Sequence, residues 1–238
     1  MRFWSSLTRM TTLRSSMPAG HTSVDVTYEK FLVARAFLLL LQPYIPDRQF
    51  VNLWKKNSGG VPNTSVWTRD VDAAAWWVAE SETDTYLARS TATRSYGSHS
   101  RISKDRASGL AFTSADIDEV TAYRDKPSLS RNSMHSLEIV KSLPVEPIAV
   151  INTGGGLQPI FGIGPISFDG PSDKERARVL LNNIDTAIRA KVWADHSVVL
   201  DSTPDMARLV RMPGSLNCKG SQPVEVRFIP WPGTEMIA

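Results

Sequence analysis

Apolar residues recur at spacings of three and four through residues 24–41, where Phe31, Leu32, Ala34, Phe37, Leu38 and Leu41 fall on one side. That period predicts a helix packed on the body of the protein, ended by Pro43 and Pro46. The pattern then shortens. FVNLWKK (50–56) reads as an extended piece, residues 57–63 as a loop and residues 66–68 as a second short strand. DVDAAAWWVAES (70–81) predicts a helix whose N-cap is Asp70 or Asp72, because an aspartate oxygen takes up the first free amides and alanine favours the helical backbone. DTYLA (84–88) predicts a strand. Residues 89–109 carry Arg89, Arg94, Arg101, Lys104 and Arg106 with almost no large apolar residue, and read as a loop too polar for the core. Residues 110–120, LAFTSADIDEV, read as a strand that turns charged. A polar segment (121–132), a helix (133–142) and a buried strand, PIAVIN (147–152), follow. TGGGLQ then leads into a further strand at 159–163, and strong helical spacing returns at 174–193. Residues 205–211 read as a helical turn, 212–217 as a tight turn and 224–229 as a last alternating strand. Strand pairs mixed with helices, without a fixed-period repeat, argue for an α+β fold.

Composition narrows the picture modestly. At 238 residues, 42% hydrophobic and 21% charged, the chain suits one large domain with a sizeable core. We expect a basic, disordered tail over 1–23, a domain over 24–230 and a C-terminal tail over 231–238. The net charge of +3 admits a nucleic-acid or nucleotide partner without requiring one. A single cysteine, Cys218, excludes an internal disulfide and a cysteine-based zinc cluster. The four histidines lack metal-ligand spacing. With no membrane-length apolar run and no secretory leader, the sequence reads as a cytoplasmic protein.

Three stretches carry candidate chemistry. On a strand, Asp116 and Asp118 share a face while Ile117 points to the core, so two carboxylates repel each other unless a cation lies between them. The glycines Gly154, Gly155 and Gly156 lie between two strands, with no Gly-Lys-Ser/Thr and no following helix, so they make a hairpin and not an ATPase phosphate loop. Backbone amides there, with Thr153 and Gln158, offer hydrogen bonds to a phosphate. Arg208 and Arg211 are three apart, on one face if the turn is helical, with guanidiniums for phosphates or for the acidic site.

The order ADID, NTGGGLQPIF, then WAD and DMARLVRMPGSLNCKG resembles the archaeo-eukaryotic primase superfamily, nearest its primase-polymerase domains from phages, plasmids and other mobile elements. The resemblance runs over roughly residues 67–219, and RMPGSLNCKG is its most specific part. It implies a catalytic core of two small mixed sheets flanked by helices, related to the RNA-recognition-motif fold. It also implies primer synthesis or extension by two-metal nucleotidyl transfer, with Mg2+ or Mn2+ held by Asp116, Asp118 and a third acid. Asp195 is the preferred third acid, with Asp201 and Asp205 as competitors. Thr153, Gly155, Gln158, Arg208, Arg211 and Lys219 are then the nucleotide-binding residues. The implied partners are nucleoside triphosphates, a single-stranded DNA template near the 89–106 loop and a replicative helicase. One departure stands out: Gln158 occupies the place of the family's histidine, able to donate a hydrogen bond but without positive charge. That departure supports a rival reading, a catalytically weak or inactive protein of this fold that binds nucleotide or single-stranded DNA.

Overall fold

The computed structural model describes residues 23–119, 134–192, 198–201, 204–220 and 222–231. The expected tails (apart from residues 23 and 231), the polar segment at 121–132 and Asp195 lie outside the described residues. Among the described residues, four α-helices and two sheets make up the α+β fold.

The first helix, α1 (Ser23–Leu41), buries Phe31, Ala34, Phe37, Leu38 and Leu41, the stripe expected from the apolar spacing. A single 3-10 turn, Gln42–Tyr44, with Pro43 inside it, ends the helix. Helix α2 (Val71–Ala79) starts where Asp70 accepts hydrogen bonds from the Asp72 and Ala73 amides, at 2.9 and 3.0 Å. Its small buried residues, Ala74, Ala75 and Ala79, allow it to lie close against α1.

The first sheet contains β1 (Val51–Lys56), β2 (Thr64–Thr68), β3 (Asp84–Ala88), β10 (Leu209–Arg211), β11 (Leu216–Asn217) and β12 (Val224–Glu225). Its order is β12-β11-β3-β1-β2, with β10 also paired to β3. The second sheet runs β13-β7-β8-β5-β4, where β4 is Ser90–Thr91, β5 Gly109–Ser114, β7 Ala149–Asn152, β8 Gly156–Ser167 and β13 Arg227–Pro230. Beside it, β6 (Ile117–Glu119) joins β8 to β9 (Val198–Leu200). Among the described residues the sheets have six and seven strands; the parallel pairing of β11 with β3 makes the first mixed, and the other pairings are antiparallel.

Both faces of the second sheet are covered. Ala149, Ile151, Ile160 and Phe112 pack with α1 in the largest cluster of the core. Val150, Leu157, Phe161 and Ile117 face the other way, onto Ile139 and Val140 of α3 (Met134–Lys141) and Ile188 and Val192 of α4 (Pro171–Val192). A strand buried on both sides has no polar face, which is why AVI reads as a continuous apolar run.

Several expectations from sequence are corrected here. Residues 205–211 do not continue as a helix: after a single turn at 206–207, closed by the Arg208 amide on the Asp205 carbonyl at 3.0 Å, the chain becomes β10, with Val210 in the core. A segment this short gains little from helical hydrogen bonds, whereas the open edge of β3 supplies partners at once. The 89–109 segment is not uniformly exposed. Arg89 is fully buried, as are Ser90 and Thr91, because the chain passes there from β3 in one sheet to β4 in the other. The last strand is likewise split at Val226, with β12 in the first sheet and β13 in the second. The strand expected at 159–163 extends over the whole of β8. Among the described residues, no helix is long and apolar enough to cross a membrane.

The turn before β11 sits on α1. Gly214 has φ of 83°, and a Cβ there would overlap the Lys30 carbonyl oxygen. Gly214→Ala should therefore lower the unfolding free energy by about 1–3 kcal/mol, read as a reduced urea midpoint with unchanged slope.

Candidate functional site

The acids lie on a register that explains the residues opposite them. Strand β5 pairs Ser114 with Ile160 on β8, and β6 pairs Ile117 with Leu157 and Asp118 with Gly156. The same register sets Asp116 opposite Gln158. Directly opposed residues of an antiparallel pair project from the same face, so both carboxylates stand on one side of the second sheet. Ile117 between them is fully buried, as the alternation predicts. Gly156 is needed at its place: a Cβ would collide with the Asp118 carboxylate and with the Ile117 carbonyl.

The glycine hairpin is therefore a wall of the site. The Thr153 amide donates to the Gly156 carbonyl at 3.0 Å and closes the turn, with Gly154 at φ of 82°. The Thr153 hydroxyl donates to that same carbonyl at 3.1 Å and accepts from the Gly155 amide at 3.4 Å. Asn217 of β11 donates to the Thr153 carbonyl at 2.6 Å and ties the hairpin to the first sheet.

Gln158 is engaged at both ends of its amide. Its oxygen accepts from the Arg211 backbone N–H at 3.1 Å, and its side chain hydrogen-bonds Asp116. The glutamine thus bridges β10 to the first acid, a positional role that needs no charge. Arg211, 4% exposed, lies with its guanidinium over Tyr86 and forms an ion pair through Nη1 with buried Asp84. Asp84 also accepts from the Cys218 amide at 3.1 Å. Arg211 Nη2 is buried without a hydrogen-bond partner, an arrangement that is costly unless an acceptor arrives.

On the far side of β6, Asp118 faces Val199 and Ile117 faces Leu200, and the Asp201 amide donates to the Asp116 carbonyl at 2.9 Å. Asp201 is thus the described acid set beside the pair. Its carboxylate accepts from Arg208 Nη2 at 3.0 Å. Asp205 lies elsewhere: it meets Lys104 at 3.7 Å and caps the Ala207 amide. Lys219, exposed, contributes positive charge to both Asp116 and Asp118. Arg208 and Arg211 both reach the site, Arg208 on its Asp201 side and Arg211 across from the acids. They do so from the end of a turn and from a strand, and not from one helical face.

Electrostatics make this pair of acids unusual. Burial raises the Asp116 carboxyl above the ordinary carboxylate range, with Gln158, Arg208 and Lys219 opposing the shift. Burial and then the neighbouring Asp116 push Asp118 up to about 7. Two half-buried carboxylates side by side are chemically matched to a divalent cation, which restores the charge that burial disfavours. Among the described residues, no group of three or more His, Cys, Asp or Glu side chains is arranged to hold a metal. Asp116 and Asp118 are accordingly the two candidate ligands.

Sequence reasoning passed over Asp84 and Asn217. A charged residue opening an otherwise apolar strand was the available signal for Asp84, and its partner lies 127 positions away. No family model, characterised protein or solved structure matches the chain.

The raised acids give a signed pH dependence. Between the ordinary carboxylate range and about 7, folded Asp118 keeps a proton that the unfolded chain has released. Stability of the metal-free protein should therefore fall as pH rises through that window. Urea midpoints at a series of pH values should show this decline in the parent and a shallower one in Asp118→Asn.

Proposed function

We propose that this chain is a divalent-metal-dependent nucleotidyltransferase of the primase-polymerase type, making or extending primers on single-stranded DNA, in keeping with the mobile-element proteins it resembles. The observation that carries the reading is the meeting of three segments distant in sequence. ADID, GGGLQ and the RMPGSLNCK stretch supply cross-strand neighbours and facing groups of one site.

Each residue then has a physical task. Asp116 and Asp118 would hold Mg2+ or Mn2+, which when bound supplies activation of the attacking 3′-hydroxyl and charge stabilisation on the departing pyrophosphate. Gly156 leaves room for Asp118, and Gln158 orients Asp116. Arg211, held by Asp84 and Tyr86, has in Nη2 a donor that a triphosphate oxygen would satisfy. Lys219 adds a second cation on the exposed side. Arg208 is committed to Asp201, so its contribution is to hold that strand and its acid in place.

The second reading, a catalytically weak protein that binds nucleotide or DNA, is favoured by Gln158, whose uncharged amide is already occupied by Arg211 and Asp116. Synthesis on circular single-stranded DNA with nucleoside triphosphates and Mg2+ or Mn2+ separates the two. We expect labelled products that disappear with chelator and fall to background in Asp116→Ala/Asp118→Ala. Equal signal from parent and double variant would end the enzymatic reading. Strand binding without any metal-dependent product would establish the second.

A further inference from the structure

The cations of the 89–109 segment are not equivalent once the chain is folded. Arg89 is buried between the sheets, and Lys104 is paired with Asp205. Arg94 and Arg106, both exposed, hold their guanidiniums over the same ring, Tyr96, at 5.0 and 4.8 Å from its centre. From outside the segment, exposed Arg69 lies over Phe50 at 4.7 Å. Tyr96 and Phe50 both pack on one small apolar cluster containing Trp67, Ile102 and Ala107. Three guanidiniums therefore rim a single patch of core.

We propose that Arg69, Arg94 and Arg106 form a docking surface for the sugar-phosphate backbone of a single nucleic-acid strand. This rests on the proposed function in taking that strand to be the template. Among the described residues, none of the three is ion-paired with a carboxylate. An arginine seated on a ring keeps its planar fork of N–H donors for bidentate bonds to phosphate, and the ring limits the rotamer freedom lost on binding. Several such forks around one patch suit successive phosphates of a chain better than one isolated phosphate.

The segment is also built to hold its shape. The Ser65 amide donates to the Ser98 carbonyl at 2.6 Å, and the Ser65 hydroxyl and Trp67 indole both donate to the Gly97 carbonyl, at 3.0 and 3.1 Å. The Ile102 amide donates to the Asn52 side chain at 3.0 Å. A chain of polar links leads on towards the acids: Lys104 meets Asp205, whose carbonyl accepts from the Arg208 amide at 3.0 Å, and Arg208 holds Asp201. These links join the segment that carries Arg94 and Arg106 to the Asp201 side of the carboxylate pair.

The test is binding of a labelled single-stranded oligodeoxynucleotide across a salt series, with chelator present and nucleotide omitted. The parent should bind with an affinity that falls steeply with salt. Arg69→Gln/Arg94→Gln/Arg106→Gln should bind at least about tenfold more weakly, its log-log salt slope smaller by about 0.7 for each phosphate no longer neutralised. Arg94→Lys/Arg106→Lys, which keeps charge but not the planar fork, should fall between them, and melting curves identify any variant that misfolds. Asp116→Ala/Asp118→Ala should bind as the parent does, so loss of synthesis and loss of strand binding are read separately. Unchanged affinity and slope in a folded triple glutamine variant would overturn the proposal. So would equal affinity for a duplex of the same sequence, or no binding by the parent.

Discussion

Two half-buried carboxylates on adjacent positions of one sheet face impose the main constraint on this molecule. Each raises the cost of ionising the other, and burial adds to that cost. The surroundings answer in kind. Gln158 donates to Asp116, Gly156 withdraws its side chain from Asp118, and Lys219, Arg208 and Arg211 contribute positive charge. Even with these cations near them, both carboxyls stay above the ordinary carboxylate range.

The two sheets contribute different halves of this arrangement. The second supplies the acids and the glycine hairpin. The first supplies Arg211, Asn217 and the residues that steady them, Asp84 and Tyr86. Nothing links the halves more directly than the chain itself, which passes between sheets at Arg89 and again at Val226, both wholly buried. Burying a guanidinium is expensive, and desolvation lowers the Arg89 pKa to about 9. Its hydrogen bonds to Ser114, at the end of β5 just before Asp116, tie the crossing to the site.

Much of the architecture was legible from periodicity. The apolar stripe of α1, the Asp70 cap, DTYLA and the PIAVIN-glycine hairpin all depend on neighbours close in sequence, and their patterns are local. Ile117 inward with Asp116 and Asp118 sharing a face also follows from alternation alone. What escaped depends on pairings between distant parts of the chain. Arg89 looks like a loop residue until the sheet crossing is known. Residues 205–211 look helical until the edge of β3 is available. Asp84 gains meaning only from Arg211, and Asp201, weighed as one of two competitors to Asp195, comes beside Asp116 through the pairing of β9 with β6.

The cross-strand register ties the acids to the residues opposite them. The first acid is matched to position 158 and the second to position 156, so each acid and its opposite residue form one unit of variation. A relative that enlarges residue 156 must move or lose its second carboxylate, and one that alters residue 158 must find another orienting group for the first. The two opposed pairs, and not the glycines alone, therefore set what this face of the sheet can hold.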